Sequence, residues 1–255
     1  MREKSPGIDK HPMPRNMLAV SGGPDSVYML YRMTVSEDGS VYTVGHVNHA
    51  VRGKSSDRDQ ELVQRLSKDL GIPCRVRKDG TFASRGGKEK PDARGRKSGF
   101  ENKARASRYR YLQEMKRETE AGYILTGHTA DDQVETILMR FFEGAGIAGI
   151  KGIPMETEDG IIRPILHIWR EDIIKYLKRN KIPFRIDRSN RDTQYERNWI
   201  RHVLVPLLVK RYGKAVKKRI FTFGERVREI DGYLEAESRD WIRRNIVAHA
   251  EYPFS

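Results

Sequence analysis

Leu18-Ala-Val-Ser21-Gly22-Gly23-Pro24-Asp25-Ser26-Val27 reads as a strand end, a glycine turn and a helix start, with almost nothing between them. Met17 to Val20 is the apolar run that supplies the strand. Gly22 and Gly23 let the backbone come close to an anion, and Pro24 suits a first helical position, where a missing N–H costs nothing. The amides freed at such a turn and the helix dipole then face negative charge. Asp25 is ill-placed to touch a phosphate directly, because like charges repel. It is well placed to ligate a divalent cation beside one. Ser21 and Ser26 add hydroxyl donors. An ordinary tight turn would also use glycine and proline, so Ser-Gly-Gly alone decides little. No Gly-Lys-Ser/Thr follows, so this is not a Walker A loop.

Outward from this stretch, strands and helices alternate. A helix is expected from Asp25 to about Ser36, with Val27, Leu30 and Tyr31 at helical spacing. Val41 to Val47 reads as a strand, and Ser55 to Leu70 as a helix with Leu62, Leu66 and Leu70 on one face. Arg75–Lys78 and Tyr123–Thr126 are further strands, and 101–117 and 129–142 further helices. Such alternation predicts an α/β fold, a parallel sheet with helices on both faces. Ligands of such sheets bind beyond the carboxyl ends of the strands. The segments expected there are Ser21–Ser26, 48–53, the 78–98 loop and 127–132. After Pro164 come helices near 169–179 and 195–209 and a long charged one near 214–248. The expected division is a catalytic domain over 1–210 and a C-terminal helical appendage over 211–255.

The chain has 255 residues, of which 37% are hydrophobic, enough for a core. Its net charge of +14 points to a polyanionic partner, with nucleic acid favoured over a protein that is merely basic. Cys74 is the only cysteine, which excludes an internal disulfide and a cysteine metal cluster within this chain. Its place after Gly-Ile-Pro suggests a small buried residue. A cytoplasmic setting is the expectation, with no signal peptide and no membrane partner.

Two further segments carry candidate chemistry. In Gly127-His128-Thr-Ala-Asp131-Asp132-Gln-Val-Glu135, Asp132 and Glu135 stand three apart and share a helix face. Val134, Ile137, Leu138 and Phe141 form a separate apolar face expected to meet the core. The acids suit a metal or an ammonium, but helix capping by Thr129 and Asp132 is an equally ordinary reading. In His46-Val-Asn48-His49-Ala-Val-Arg52-Gly53, His49 and Arg52 follow a strand; either can be a solvated loop residue.

The full Ser-Gly-Gly-x-Asp-Ser pattern after an apolar strand resembles the PP-loop of N-type ATP pyrophosphatases, of the adenine nucleotide alpha-hydrolase-like fold. With the two segments above the chain resembles the tRNA(Ile)-lysidine synthetases. The likeness continues through Glu101, Ala104-Arg105-Ala-Ser-Arg108-Tyr109, Gly144-Ala-Gly146-Ile-Ala-Gly149, Arg163-Pro164-Ile-Leu, Asp187-Arg-Ser189-Asn190 and Tyr195-x-Arg197-Asn198-x-x-Arg201. It covers about residues 17 to 208.

The resemblance implies a tRNA-modifying ligase. The wobble cytidine of an isoleucine tRNA is adenylylated at C2 from ATP, and free lysine then displaces AMP. It implies that Ser21, Gly22, Gly23, Asp25 and Ser26 hold ATP and Mg²⁺, with Asp25 and Asp132 as metal ligands. Asp132, Glu135 and Arg105 match active-site residues. His49, Arg52, His128, Arg197 and Arg201 are expected toward the substrate or tRNA. A homodimer is compatible with the resemblance.

The chain departs from the pattern at Glu143, where the family commonly has arginine. Larger members carry C-terminal domains that grip tRNA, and this chain is expected to have a helical appendage instead. Basic stretches at Lys78–Lys97 and Lys210–Arg228 are expected to meet tRNA backbone. Alternatives are another PP-loop enzyme acting on tRNA, such as a thiolase, and a non-catalytic tRNA-binding module. A single cysteine weighs against the thiolase, and intact Asp25, Asp132 and Glu135 weigh against the module.

Overall fold

The structure is a computed structural model that describes residues 15–35, 39–49, 54–80, 99–186 and 192–246. Its contacts divide the chain into two units: residues up to 129 together with 155–188, and residues 130–154 together with those from 189 onward.

The first unit is a five-stranded parallel sheet in the order β3-β2-β1-β4-β5. The strands are β1 Arg15–Ala19, β2 Val41–Asn48, β3 Cys74–Lys78, β4 Tyr123–Thr126 and β5 Ile161–Ile162. Its helices are α1 Pro24–Thr34, α2 Lys54–Asp69, α3 Gly99–Glu118 and α6 Arg170–Arg179. Side chains alternate across a strand, and β1 shows the result. Leu18 joins a core with Val27 and Leu30 of α1, Leu62 and Leu66 of α2, and Ile173 and Leu177 of α6. Its neighbour Met17 joins a second core with Leu112 and Met115 of α3, Ile124 and Ile161. Helices therefore cover both sheet faces, as the alternation predicts. Gly45 is required by this packing, since a Cβ there would lie 2.8 Å from the Met17 sulfur.

β5 was not expected; two isoleucines are too short a run to show a period. Cys74 at the start of β3 is half-buried, and burial pushes its thiol up from the ordinary value. The 81–98 part of the expected loop, Arg52, Asp187, Ser189 and Asn190 lie outside the described residues.

The second unit holds α4 Ala130–Phe142, α5 Ile147–Ile150, α7 Glu196–Trp199, a π-helical turn Ile200–Leu204, α8 Val205–Tyr212 and α9 Ala215–Ile246. Gly224 lets α9 approach α4; a Cβ there would come within 2.4 Å of Ile137 Cδ1. Buried Gln133 of α4 donates to the Ile153 carbonyl at 2.8 Å and accepts the Ile153 N–H at 2.6 Å. Arg228 of α9 donates to the carbonyls of Lys151 and Ile153 at 2.7 and 2.9 Å. The expected boundary at 210 thus falls inside a unit in which the C-terminal helix packs on α4. Phe141, expected in the core by its phase, is 61% exposed, because it stands in the last turn of α4, beyond Ile137. It makes an edge-to-face pair with exposed Phe142 instead. No helix among the described residues is long and apolar enough to cross a membrane.

Candidate functional site

The glycine turn lies at the carboxyl end of the central strand β1. Gly22 has φ +87°, a left-handed conformation open to glycine at no steric cost, and Gly23 is the N-cap of α1 with Pro24 in the first turn. Ser26 Oγ accepts from the Ser21 N–H at 3.1 Å, lies 3.1 Å from Ser21 Oγ and donates to the Gly23 carbonyl at 3.0 Å. The turn is thus curled around one buried hydroxyl. Gly127, after β4, packs against the helix start; its hypothetical Cβ would sit 3.0 Å from Asp25 C and from Ser26 N and Cα. The Arg185 N–H holds the Gly22 carbonyl at 3.0 Å, and its guanidinium pairs with Asp59 of α2. Arg185 and Asp59 are therefore a brace behind the turn.

Asp25 is partly buried, its side chain 18% exposed, and it pairs with Arg170 at 3.6 Å. It is less open than a first-turn residue would suggest. Neither Arg170 nor Arg185 announces itself in the sequence, since both come from the segment after β5.

At the ends of β2 and β3, His49 Nδ1 is 3.2 Å from Asp79 Oδ2, which also accepts from Ser107 Oγ at 2.5 Å. Asp79 is fully buried. Burial, and then the Arg108 charge, push the His49 pKa below its ordinary value, against the pull of Asp79. His46 Nδ1 is 2.8 Å from the Val20 carbonyl, and burial lowers its pKa too. Asp79 is a site residue that the sequence reading missed; a carboxylate directly after a strand was its only signal. His128 Nδ1 is 2.9 Å from Thr126 Oγ1, just after β4. Arg105, exposed on α3, lies 5.6 Å from the Tyr109 ring centroid.

The acids expected on α4 are both present, and they meet both expected arginines. Glu135 is 3% exposed. Arg201 grips it through both oxygens, Nε to Oε1 at 2.6 Å and Nη2 to Oε2 at 2.8 Å, a charge-assisted fork. Arg197 Nε donates to Oε2 at 3.0 Å. Asp132 Oδ1 accepts from Arg201 at 3.1 Å and from Arg197 at 3.4 Å. Arg197 belongs to α7, and Arg201 to the π-helical turn that follows. Such turns are frequent at functional sites. The adjacent Asp131 pairs with Lys217 of α9.

The donor sets sort the expected ligands. Glycine amides, two serine hydroxyls and a helix N-terminus suit an anion. Beside them the Asp25 carboxylate suits a hard cation that takes its other ligands from phosphate and water. Asp132 fits this less well, because two guanidinium groups already face its Oδ1. Among the described residues no three His, Cys, Asp or Glu side chains converge on a metal position.

A model of the PP-loop domain matches residues 4–208. The tRNA(Ile)-lysidine synthase of Chlorobaculum tepidum is 33% identical over 235 residues, 91% of this chain and 67% of that one. The chain belongs to the tRNA(Ile)-lysidine synthase family of PP-loop proteins. The namesake of Clostridium acetobutylicum is 35% identical over 223 residues, 87% of this chain and 47% of that one. That of Bradyrhizobium diazoefficiens is 39% identical over 209 residues, 79% of this chain and 54% of that one. The chain spans about half the length of most of the PP-loop relatives it matches. A U34-tRNA thiolase of Methanococcus maripaludis, solved with its [4Fe-4S] cluster, shares the fold with a TM-score of 0.64 and 16% identity, covering 86% of this chain and 74% of that one.

Proposed function

We propose that this chain carries the catalytic part of a tRNA(Ile)-lysidine synthase. In this reading it adenylylates C2 of the wobble cytidine of an isoleucine tRNA from ATP, then joins free lysine there through its ε-amine. The observation that carries the reading is the Asp132–Glu135–Arg197–Arg201 cluster, in a member of this family that also has the braced glycine turn.

The turn amides, Ser21 and Ser26 bind the ATP phosphates, and Asp25 would hold Mg²⁺, which when bound would supply charge neutralisation at the phosphates. Glu135 and Asp132 hold the lysine ammonium and accept the proton that the ε-amine must lose before attack. Arg197 and Arg201 hold both carboxylates pre-oriented. An incoming ammonium then exchanges with a guanidinium. His49, His128, Arg52 and Arg105 belong to the nucleotide and tRNA side of the reaction.

The test is mass analysis of position 34 of an isoleucine tRNA transcript after incubation with this chain, ATP and lysine. Conversion of that cytidine to a lysine adduct, with AMP and pyrophosphate released in equal amounts, is expected. Sulfur incorporation instead would move the chain to the thiolases, although with one cysteine it cannot by itself hold a cluster. Absence of any tRNA-dependent AMP release would sink the synthase reading.

A further inference from the structure

Positive charge in the second unit is concentrated, and only part of it is available. Along α9, residues 215–228 carry Lys217, Lys218, Arg219, Arg226 and Arg228 against Glu225. The next stretch, 229–240, reverses sign, with Glu229, Asp231, Glu235, Glu237 and Asp240 against Arg239. Lys217 is taken up by Asp131, and Arg228 by backbone carbonyls and Glu225. Arg219 and Arg226 are exposed and, among the described residues, have no ion-pair partner. They stand seven residues apart, two helical turns or about 10 Å, on one face. Phe223 lies between them on that face, 49% exposed. A cation, an aromatic ring and a second cation thus form an exposed row at i, i+4 and i+7.

We propose that Arg219, Phe223 and Arg226 form a contact for single-stranded RNA, resting on the tRNA reading above. The two guanidinium groups take phosphates of one strand, and the phenyl ring stacks on a base between them. Stacking needs a splayed base, so a loop or an unpaired end fits and the regular stem does not. The sign reversal at residue 229 bounds the contact, because a phosphate chain continuing along α9 would meet five carboxylates. Exposed Ile230 and Leu234 extend the apolar row past that boundary. A protein partner would use the whole row and would ignore the two arginines.

The experiment is binding of an isoleucine tRNA transcript, followed by fluorescence anisotropy over a series of KCl concentrations. Arg219→Ser with Arg226→Ser should weaken binding and make the log–log salt slope shallower by about 1.4, roughly 0.7 per single-strand phosphate lost. Phe223→Ala should cost at least about fivefold in affinity and leave the slope unchanged, since stacking releases no counterions. Phe223→Tyr keeps the ring face and should bind as the parent does. Lys178→Ser with Arg179→Ser on α6 removes the same charge elsewhere and should leave the slope alone. The proposal is overturned if the arginine pair is neutral, if Phe223→Ala binds normally, or if the α6 pair has the same effect. Should the parent chain bind no tRNA even at low salt, the tRNA reading itself fails and takes this surface with it. A neutral result on α9 with normal parent binding removes only the surface.

Discussion

Gly127 is the position where adding one carbon should do most harm. Its Cβ would lie 3.0 Å from three backbone atoms of Asp25 and Ser26. That is tighter than ordinary carbon contacts, so the helix start must give by a few tenths of an ångström. The obstacle is main chain at a helix start and cannot rotate aside. Overpacking of this kind costs about 1–3 kcal/mol. At about 2–4 °C per kcal/mol, that lowers the melting midpoint of a chain this size by roughly 2–12 °C. The functional effect should be larger than the loss of stability suggests, because the displaced atoms begin the helix proposed to face the ATP phosphates. A misplacement of about 1 Å costs on the order of a hundredfold in rate, so a few tenths should cost roughly several-fold. Gly122→Ala is the control: its Cβ would meet only the Arg15 carbonyl, at an ordinary 3.7 Å. Initial rates of AMP release and a thermal melt on both variants measure the two effects, and calorimetric titration gives the ATP affinity. A Gly127→Ala chain with parental ATP affinity and midpoint would refute the packing reasoning.

Asp25→Ala should abolish AMP formation yet shift stability by only about 1 kcal/mol, since its pair with Arg170 is long, at 3.6 Å, and partly exposed; normal turnover at ordinary Mg²⁺ would remove Asp25 from the site. Glu135→Ala and Asp132→Asn should each reduce lysine transfer at least about a hundredfold, the usual scale for a positioned acid or base. Glu135→Ala should also destabilise by about 2–3 kcal/mol, because it strands two partly buried guanidinium groups. Pairing it with Arg201→Ala should recover part of that loss in a double-mutant cycle, and strictly additive effects would deny the coupling. His46 and His49 have lowered pKa values in the folded state. Between those values and the ordinary 6.5 the unfolded chain binds more protons. Their contribution is therefore complete above pH 6.5 and is lost as pH falls toward the folded values. Denaturant midpoints from pH 7.5 down to 5 should drop, and His46→Asn should flatten the decline; an unchanged slope counts against these two groups.

The eight-element alternation from β1 to α4 was legible because each element has its own period and its own punctuation. The turn at Ser21–Ser26 was legible for a similar reason, since a glycine turn that opens a helix is encoded within a few contiguous residues. The partners of that turn were not. Arg170, Arg185 and Asp59 reach it only through tertiary folding, and as surface-type residues they leave no pattern. Asp132 and Glu135 could be placed on one helix face by spacing, but spacing did not supply the opposite charges. Arg197 and Arg201 entered by resemblance, and the π-helical turn that carries Arg201 has no sequence signature here. Phe141 misled because helical phase assigns a face without saying how far along the helix the core extends.

The brace on Gly22 has a consequence in time. Its donor, the Arg185 N–H, follows Gly22 by 185 minus 22, or 163, residues. At about 5–20 residues per second, roughly 8–33 s separate the synthesis of the two ends of this one hydrogen bond. Until then the glycine turn has its own serine contacts and the packing of Gly127 but lacks this hydrogen bond, and closing so long a loop must await the chain beyond α6. A nascent chain halted after β4 would contain every residue of the turn without the clamp behind it. The turn beside the first strand is thus secured only after the rest of its sheet has been made.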